Sequence, residues 1–366
     1  MTALKQKFIL ILFLRISKLF ASEICTLLNG DSGLCVTLSN CERDKDAVVF
    51  SSNFCSDDFS EICCEREKIK SEKEKVPRVE SEVDFENYES FKLFDFQKCA
   101  KLSSVFRISG GEEADLLEFP WNALIGYANL DTVEFNCGGS LITVHNVLSA
   151  AHCFKTSKRT LHQLVKIVRL GEHRKSTPKD CQIQNDGIEI CADPVQDIEI
   201  NSSDIIIHPE YTDSSTVNDI AIIRLNEAAK INQNNIKPIC LPFRKSFEIL
   251  PKSMTVIGFG RTESSVSNSD VLRKVNVRIK SNEQCITEYE SHLSLEESQF
   301  CAGDEKDSCK GDSGSSTHSL HLFEDSSIRY VQYGIVSYGD ALCGSFRAGI
   351  YTKVYNYLQW ILENVK

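Results

Sequence analysis

The chain has 366 residues, 42% of them hydrophobic and 25% charged, with a formal net charge of -11. That length holds one sizeable domain and something smaller, and the acidic balance excludes a nucleic-acid binder, whose footprint is a basic face. Sixteen cysteines, with no CxxC pair and no zinc-ligand spacing of histidines, indicate a disulfide framework made in an oxidising compartment.

At the start of the chain, Lys5 and Lys7 precede an apolar run from Phe8 to Leu14, and Ala21 and Ser22 follow as small cleavage-site residues. This is the plan of a secretory signal peptide over residues 1–22, with Arg15 and Lys18 interrupting its apolar part. No other stretch reaches the ~20 apolar residues that span a bilayer, so no membrane span is expected. Residues 23–64 carry six cysteines between Cys25 and Cys64. A segment this small cannot bury enough apolar area to fold unaided, and three internal bridges are its natural solution. Six cysteines permit 15 pairings, and sequence alone does not choose among them.

Residues 65–107 change character. The run from Glu65-Arg66-Glu67-Lys68 to Lys75 mixes charges, and residues 65–98 sustain no apolar period. This reads as a flexible charged linker. From residue 108 onward short apolar runs alternate with turn residues: Ala123-Leu124-Ile125, Ser140-Leu141-Ile142, Ile220-Ala221-Ile222-Ile223, Val256-Ile257 and Gly334-Ile335-Val336. Such spacing predicts antiparallel β-structure, a barrel or a sandwich. The end differs: Val354, Leu358, Ile361, Leu362 and Val365 recur at helical spacing and predict an amphipathic C-terminal helix. Asn201-Ser202-Ser203 is a sequon that a secretory route would glycosylate at Asn201.

Three short motifs carry chemistry. Ser149-Ala150-Ala151-His152-Cys153 sets a histidine beside a cysteine, Asn218-Asp219-Ile220-Ala221 puts a carboxylate at the head of an apolar strand, and Gly311-Asp312-Ser313-Gly314 holds a serine between glycines. Singly, each has a plain structural reading: a core histidine, a turn-capping aspartate, a loop. Together they are the residue types that acyl transfer needs. A serine hydroxyl is a poor nucleophile until a base accepts its proton, and that base needs a buried carboxylate to fix its tautomer.

In order, context and separation these motifs resemble the chymotrypsin/trypsin family over residues 108–366. The resemblance implies an all-β fold of two six-stranded β-barrels with a C-terminal helix. It makes His152 the general base, Asp219 its orienter and Ser313 the nucleophile, the roles of the well-known serine protease triad. The backbone N–H groups of Gly311 and Ser313 would then form the oxyanion hole. Asp307, six residues before Ser313, matches the carboxylate of the trypsin branch that selects Arg or Lys, and Gly339 and Gly349 match the walls of that pocket. Phe106-Arg107-Ile108-Ser109-Gly110-Gly111 resembles an activation junction: a cut after Arg107 would free an ammonium at Ile108 to pair with Asp312.

Family positions further imply the bridges Cys137–Cys153, Cys285–Cys301, Cys309–Cys343 and Cys99–Cys240, with Cys181–Cys191 closing an extra loop. The first block, ending in the adjacent Cys63-Cys64, resembles the clip domain of arthropod clip-domain serine proteases, whose pattern pairs Cys25 with Cys63, Cys35 with Cys55 and Cys41 with Cys64. This resemblance implies a secreted, extracellular endopeptidase made as a zymogen, acting in a cascade of innate immunity or development. Its partners would be a trypsin-like activator, a protein substrate such as a downstream zymogen or pro-ligand, and a serpin-type inhibitor. The chemistry needs no cofactor. Glu172 and Asp180, with the carbonyls of Arg174 and Thr177, resemble a structural calcium loop, and oxygen ligands on a loop suit that ion.

Three departures from the family pattern stand out. Ser315-Ser316 replaces Gly-Pro after the nucleophile motif, which would strain the chain if position 315 required a positive φ. Phe259 and Tyr338 stand where tryptophan is common, and Ser109 replaces an aliphatic residue. The rival reading is a noncatalytic homologue that serves as a binding cofactor.

Overall fold

The computed structural model describes residues 24–26, 32–37, 61–64, 84–95, 99–101, 112–129, 132–156, 159–160, 164–183, 187–212, 216–262, 265–289, 294–303, 311–323, 325, 327–339 and 347–366, the first three stretches as backbone alone. Residues 1–22, Arg107, Ile108, Asp307, Cys309 and Cys343 lie outside them, as do the side chains of Cys25, Cys35, Cys41, Cys55, Cys63 and Cys64. In the N-terminal block, strands Ile24–Thr26, Ser32–Thr37 and Glu61–Cys64 form a three-stranded antiparallel sheet with the central segment in the middle. Residues 83–243, 247–321 and 327–366 form the larger compact unit.

Within the larger unit, every apolar run singled out above lies in or against a strand. The first sheet has seven strands, in the order Gln196–Glu199, Val165–Leu170, Asn122–Asn129, Thr132–Thr143, Asn146–Ser149, Ala221–Arg224, Ile205–Ile207. Six strands were expected, and the difference has a local cause. The two edge strands are consecutive in the chain, separated only by residues 200–204, so one bent segment pairs with both edges. Its interruption is the 3-10 turn Ser202–Asp204, where Asn201 and Asp204 form a reciprocal capping box.

The second sheet contains Ser253–Gly258, Ser316–Leu322, Ile328–Tyr338, Gly349–Lys353, Gln299–Ala302 and Arg273–Lys280, and Ser253–Gly258 pairs with Arg273–Lys280 to close it into a six-stranded barrel. The short strand Glu112–Glu113, just beyond the activation junction, adds to its edge through Arg273 and Lys274. Closure removes free strand edges, and Val256, Ile257, Val277, Ile335 and Val336 are all buried. The C-terminal helix Leu358–Asn364 buries Leu358, Ile361 and Leu362, and Val354 and Val365 flank it, also buried.

The linker differs from expectation. Residues 84–95 are folded: 3-10 turns Phe85–Asn87 and Glu89–Leu93 bring Phe85, Phe91 and Phe94 edge-on around Phe243, with ring centroids 5.6, 5.1 and 5.0 Å away. Ser90 Oγ donates to the carbonyl of Leu362 in the C-terminal helix, and the Cys99–Cys240 disulfide follows. The aromatic residues have no helix or strand period because successive short turns, not a regular element, carry them to one face. Charge hid this segment; three rings fold it.

Candidate active site

The histidine motif follows the strand Asn146–Ser149 as a 3-10 turn, Ala151–Cys153. The Cys137–Cys153 disulfide ties this turn to the strand Thr132–Thr143, and the Tyr127 hydroxyl donates to the Cys153 carbonyl at 2.9 Å. Ala150 and Ala151 are fully buried, which leaves space for the turn to sit against the barrel. His152 is held there with its side chain 25% exposed.

Asp219 precedes the strand Ala221–Arg224, the neighbour of Asn146–Ser149 in the sheet, so strand pairing itself brings the two motifs together. One carboxylate oxygen accepts from the backbone N–H of His152 at 2.9 Å, and the other is 2.8 Å from Nδ1 of the ring. Ser337 Oγ also donates to this second oxygen, and Thr352 Oγ1 donates to the Asp219 carbonyl. Burial alone would raise the pKa of Asp219. The charge of His152 and the hydrogen bonds from His152 and Ser337 outweigh burial and hold the carboxyl below its ordinary range. A carboxylate on Nδ1 puts the proton there and leaves Nε2 with its lone pair, the tautomer a general base requires.

Ser313 lies on the turn before strand Ser316–Leu322. The turn is pinned on all sides: Ser315 N–H donates to Asp312 O, Gly314 N–H to Val336 O, and Gly138 N–H to Ser313 O. Gly138 adjoins the bridged Cys137, and Cys153 Sγ is 3.8 Å from Ser313 O, so the serine turn abuts the histidine turn. Gly311 and Gly314 have φ of +105° and +83°, a region that L side chains avoid. A Cβ at Gly311 would press on Gly260 Cα and Asn268, and one at Gly314 on Ser149 Oγ and Gly138 O. Both glycines are required.

The positive φ therefore falls on Gly314 and not on Ser315, so the feared strain at the serine pair is absent. Ser315 and Ser316 are buried, and Ser316 Oγ accepts from Trp121 Nε1 at 3.1 Å. Asp312 Oδ1 accepts from Gly260 N–H at 2.7 Å, and the carboxylate packs against Gly258 and Gly260. Gly349 is buried at the start of its strand and Gly339 is exposed just after Ile328–Tyr338.

The disulfides Cys99–Cys240, Cys137–Cys153, Cys181–Cys191 and Cys285–Cys301 are formed. In the loop before Cys181, Asp180 is buried and accepts from the N–H groups of His173 and Arg174 and from Thr177 Oγ1. Glu172 Oε2 pairs with Arg169, whereas its buried Oε1 has no partner. Burial raises the Glu172 pKa against the pull of Arg169, and Asp180 adds to the rise. Two buried carboxylates with an unspent oxygen fit a hard cation. Asn201 is exposed, with Nδ2 donating to Asp204 Oδ2 at 3.0 Å.

Sequence reasoning missed Ser337 and Thr352. The only local trace of Ser337 is a hydroxyl inside the otherwise apolar run Ile335-Val336-Ser337, and Thr352 leaves no comparable trace.

Comparison with known proteins places this geometry. The trypsin family model matches residues 108–361. Phenoloxidase-activating factor 3 of Holotrichia diomphalia is 35% identical over 367 residues, covering 94% of each chain. Serine protease grass of Drosophila melanogaster is 32% identical, with 94% of this chain and 91% of that protein covered. A crystal structure of the Drosophila Grass clip serine protease of the Toll pathway superposes with a TM-score of 0.66 at 31% identity, over 93% of this chain and 96% of the other.

Proposed function

Since the chain belongs to the trypsin family of serine proteases, in its arthropod clip-domain branch, we propose that it is a secreted endopeptidase, cut after Arg107 to become active and cleaving after Arg or Lys. The observation that carries the reading is the buried Asp219 bonded to Nδ1 and to the backbone N–H of His152. A merely structural histidine has no need of a desolvated carboxylate.

In this reading Nε2 of His152 takes the proton of Ser313 as Oγ bonds to the scissile carbonyl carbon. The carbonyl oxygen becomes an oxyanion that the N–H groups of Gly311 and Ser313 receive. The intermediate collapses, the C–N bond breaks, and His152 gives its proton to the leaving amine. Water then repeats the sequence with Nε2 as base and releases the acid and Ser313. Asp219 stays ionised throughout and stabilises the imidazolium.

Asp307, with Gly339 and Gly349 leaving room, would supply the counter-charge for a basic side chain. Before the cut, Ile108 has no ammonium for Asp312. After it, an ion pair would lock the turn that carries both oxyanion donors. Glu172, Asp180 and the carbonyls of Arg174 and Thr177 would hold calcium, which supplies positive charge to a loop with two buried carboxylates. Asn201 would carry a glycan. The relatives' names, phenoloxidase-activating factor and a Toll-pathway protease, support an extracellular cascade with another zymogen or pro-ligand as substrate. A trypsin-like activator and a serpin-type inhibitor would complete it. Among the described residues, no helix is long and apolar enough to cross a membrane.

A fluorophosphonate probe tests the reading. It should label the protein cleaved after Arg107 and not the Ser313→Ala variant; an unlabelled, verifiably cleaved protein would favour the noncatalytic role.

A further inference from the structure

The segment that delivers Asp219 is held in an unfavourable backbone conformation. Thr216 and Asn218 have φ of +53° and +59°, in the left-handed region. Asparagine tolerates it, but threonine is β-branched and does so poorly. Backbone in this state persists only where the surroundings over-determine it, and such places gather at functional sites.

Here the restraint comes from the second barrel and the C-terminal segment that follows it. Gln299 Nε2, from strand Gln299–Ala302, donates to the Thr216 carbonyl at 3.2 Å. Tyr357 Oη, from the turn before the C-terminal helix, donates to Asn218 Oδ1 at 2.9 Å and is itself hydrogen-bonded by Ser298. Tyr338, at a position where tryptophan is common in the family, shares a hydrogen bond with the Thr216 side chain. An indole N–H could only donate there, whereas a phenol donates or accepts. Gln299 and Tyr357 are buried, so neither bond is traded for one to water without cost. On its own side the segment has Asn218 Nδ2 on the Glu210 carbonyl and a tight bond from Ile220 N–H to Asn218 O.

We propose that Gln299, Tyr338 and Tyr357 are positioning residues that clamp residues 216–218 and thereby fix the Asp219 carboxylate on His152. The proposal rests on the reading of Asp219 as the triad carboxylate. The clamp reaches beyond the first barrel: Asp219 and His152 belong to the first, Gln299 and Tyr338 to strands of the second, and Tyr357 to the turn before the C-terminal helix. A shift between barrels therefore reaches the general base through hydrogen bonds, and a displacement near 1 Å is enough to depress the rate strongly.

The test uses Gln299→Met, Tyr338→Phe and Tyr357→Phe in the full, activated protein, each of which deletes a clamp bond while keeping side-chain bulk. Turnover of a single-residue ester should fall about tenfold in Gln299→Met and Tyr357→Phe with KM nearly unchanged. The acid limb of kcat/KM should move to lower pH, because a displaced carboxylate stabilises the imidazolium less. The low-field proton resonance of the His152–Asp219 hydrogen bond should shift in the same variants. That resonance is also read in Ser313→Ala, so it needs no activity. A clamp effect on it in a protein that hydrolyses nothing would leave the proposal standing and remove the protease reading instead. Folded variants with wild-type turnover, pH limb and resonance would overturn the proposal. Tyr338 is only half-buried, so Tyr338→Phe serves as the second test if Gln299→Met does not fold; there a wild-type resonance and pH limb would overturn the proposal too.

Discussion

His318 shows what a buried ionisable side chain costs. It is fully buried in a box of Phe119, Trp121 and Tyr330, each with its ring centroid 5.1 Å away, and its Nε2 has no hydrogen-bond partner. Burial pushes its pKa down from 6.5 to about 3. The unfolded chain therefore binds a proton near pH 6.5 that the folded chain refuses until about pH 3. Between those values the unfolded state holds more protons, so stability falls as pH falls, by up to about 1.4 kcal/mol per pH unit. Urea titrations from pH 7 to pH 4.5 should show this loss, and His318→Leu should flatten the slope. An equal slope in the variant would assign the acid sensitivity to other groups. Asp219 acts in the same direction for a different reason: its charged form is favoured in the fold, so its depressed pKa gives stability above the ordinary aspartate range that is lost as pH falls through the folded value. The motif residues His152, Asp219 and Ser313 were legible because each sits in a short local pattern. Ser337, Thr352, Gln299 and Tyr357 were not, because they meet the Asp219 segment only after the second barrel has folded against the first.

Two elements carry predictions of their own. The turns over residues 84–95 dock through Phe85, Phe91 and Phe94 on Phe243, so the bridge Cys99–Cys240 is not the sole attachment of the N-terminal piece. After cleavage at Arg107 and mild reduction, this piece should remain bound in the wild type and dissociate in Phe94→Ala. Such truncations cost about 3–5 kcal/mol in a packed core. Release from the wild type on reduction alone would show the aromatic contact to be insufficient. The loop from Glu172 to Asp180 yields a second: calcium should raise Tm in the wild type and leave Glu172→Gln unmoved, with magnesium a poor substitute. An equal rise in both proteins would place the ion elsewhere. The linker misled sequence reasoning for a physical reason. Periodicity detects helices and strands, and three phenylalanines carried on successive 3-10 turns follow neither period. The broken strand was hidden in the same way, since Asn201 is legible as a sequon while its cap on Asp204 depends on the turn it makes.

For the whole molecule, the arrangement divides labour between two barrels. The first supplies base and orienter from adjacent strands, and the second supplies the nucleophile turn, with Gly138 N–H on Ser313 O joining them. Short apolar runs between turn residues made this fold legible in outline, because the central strands bury consecutive residues and hence both faces. The pairing of Ser253–Gly258 with Ser316–Leu322 in the second barrel was not legible, since strand partners distant in sequence leave no local mark. The decisive measurement is hydrolysis of Arg-, Lys- and Phe-ended chromogenic peptides before and after a verified cut at Arg107. The account predicts activity only after the cut, only on the basic substrates, and none in Ser313→Ala. Silence from the cut protein, or equal hydrolysis by the uncut one, would contradict it.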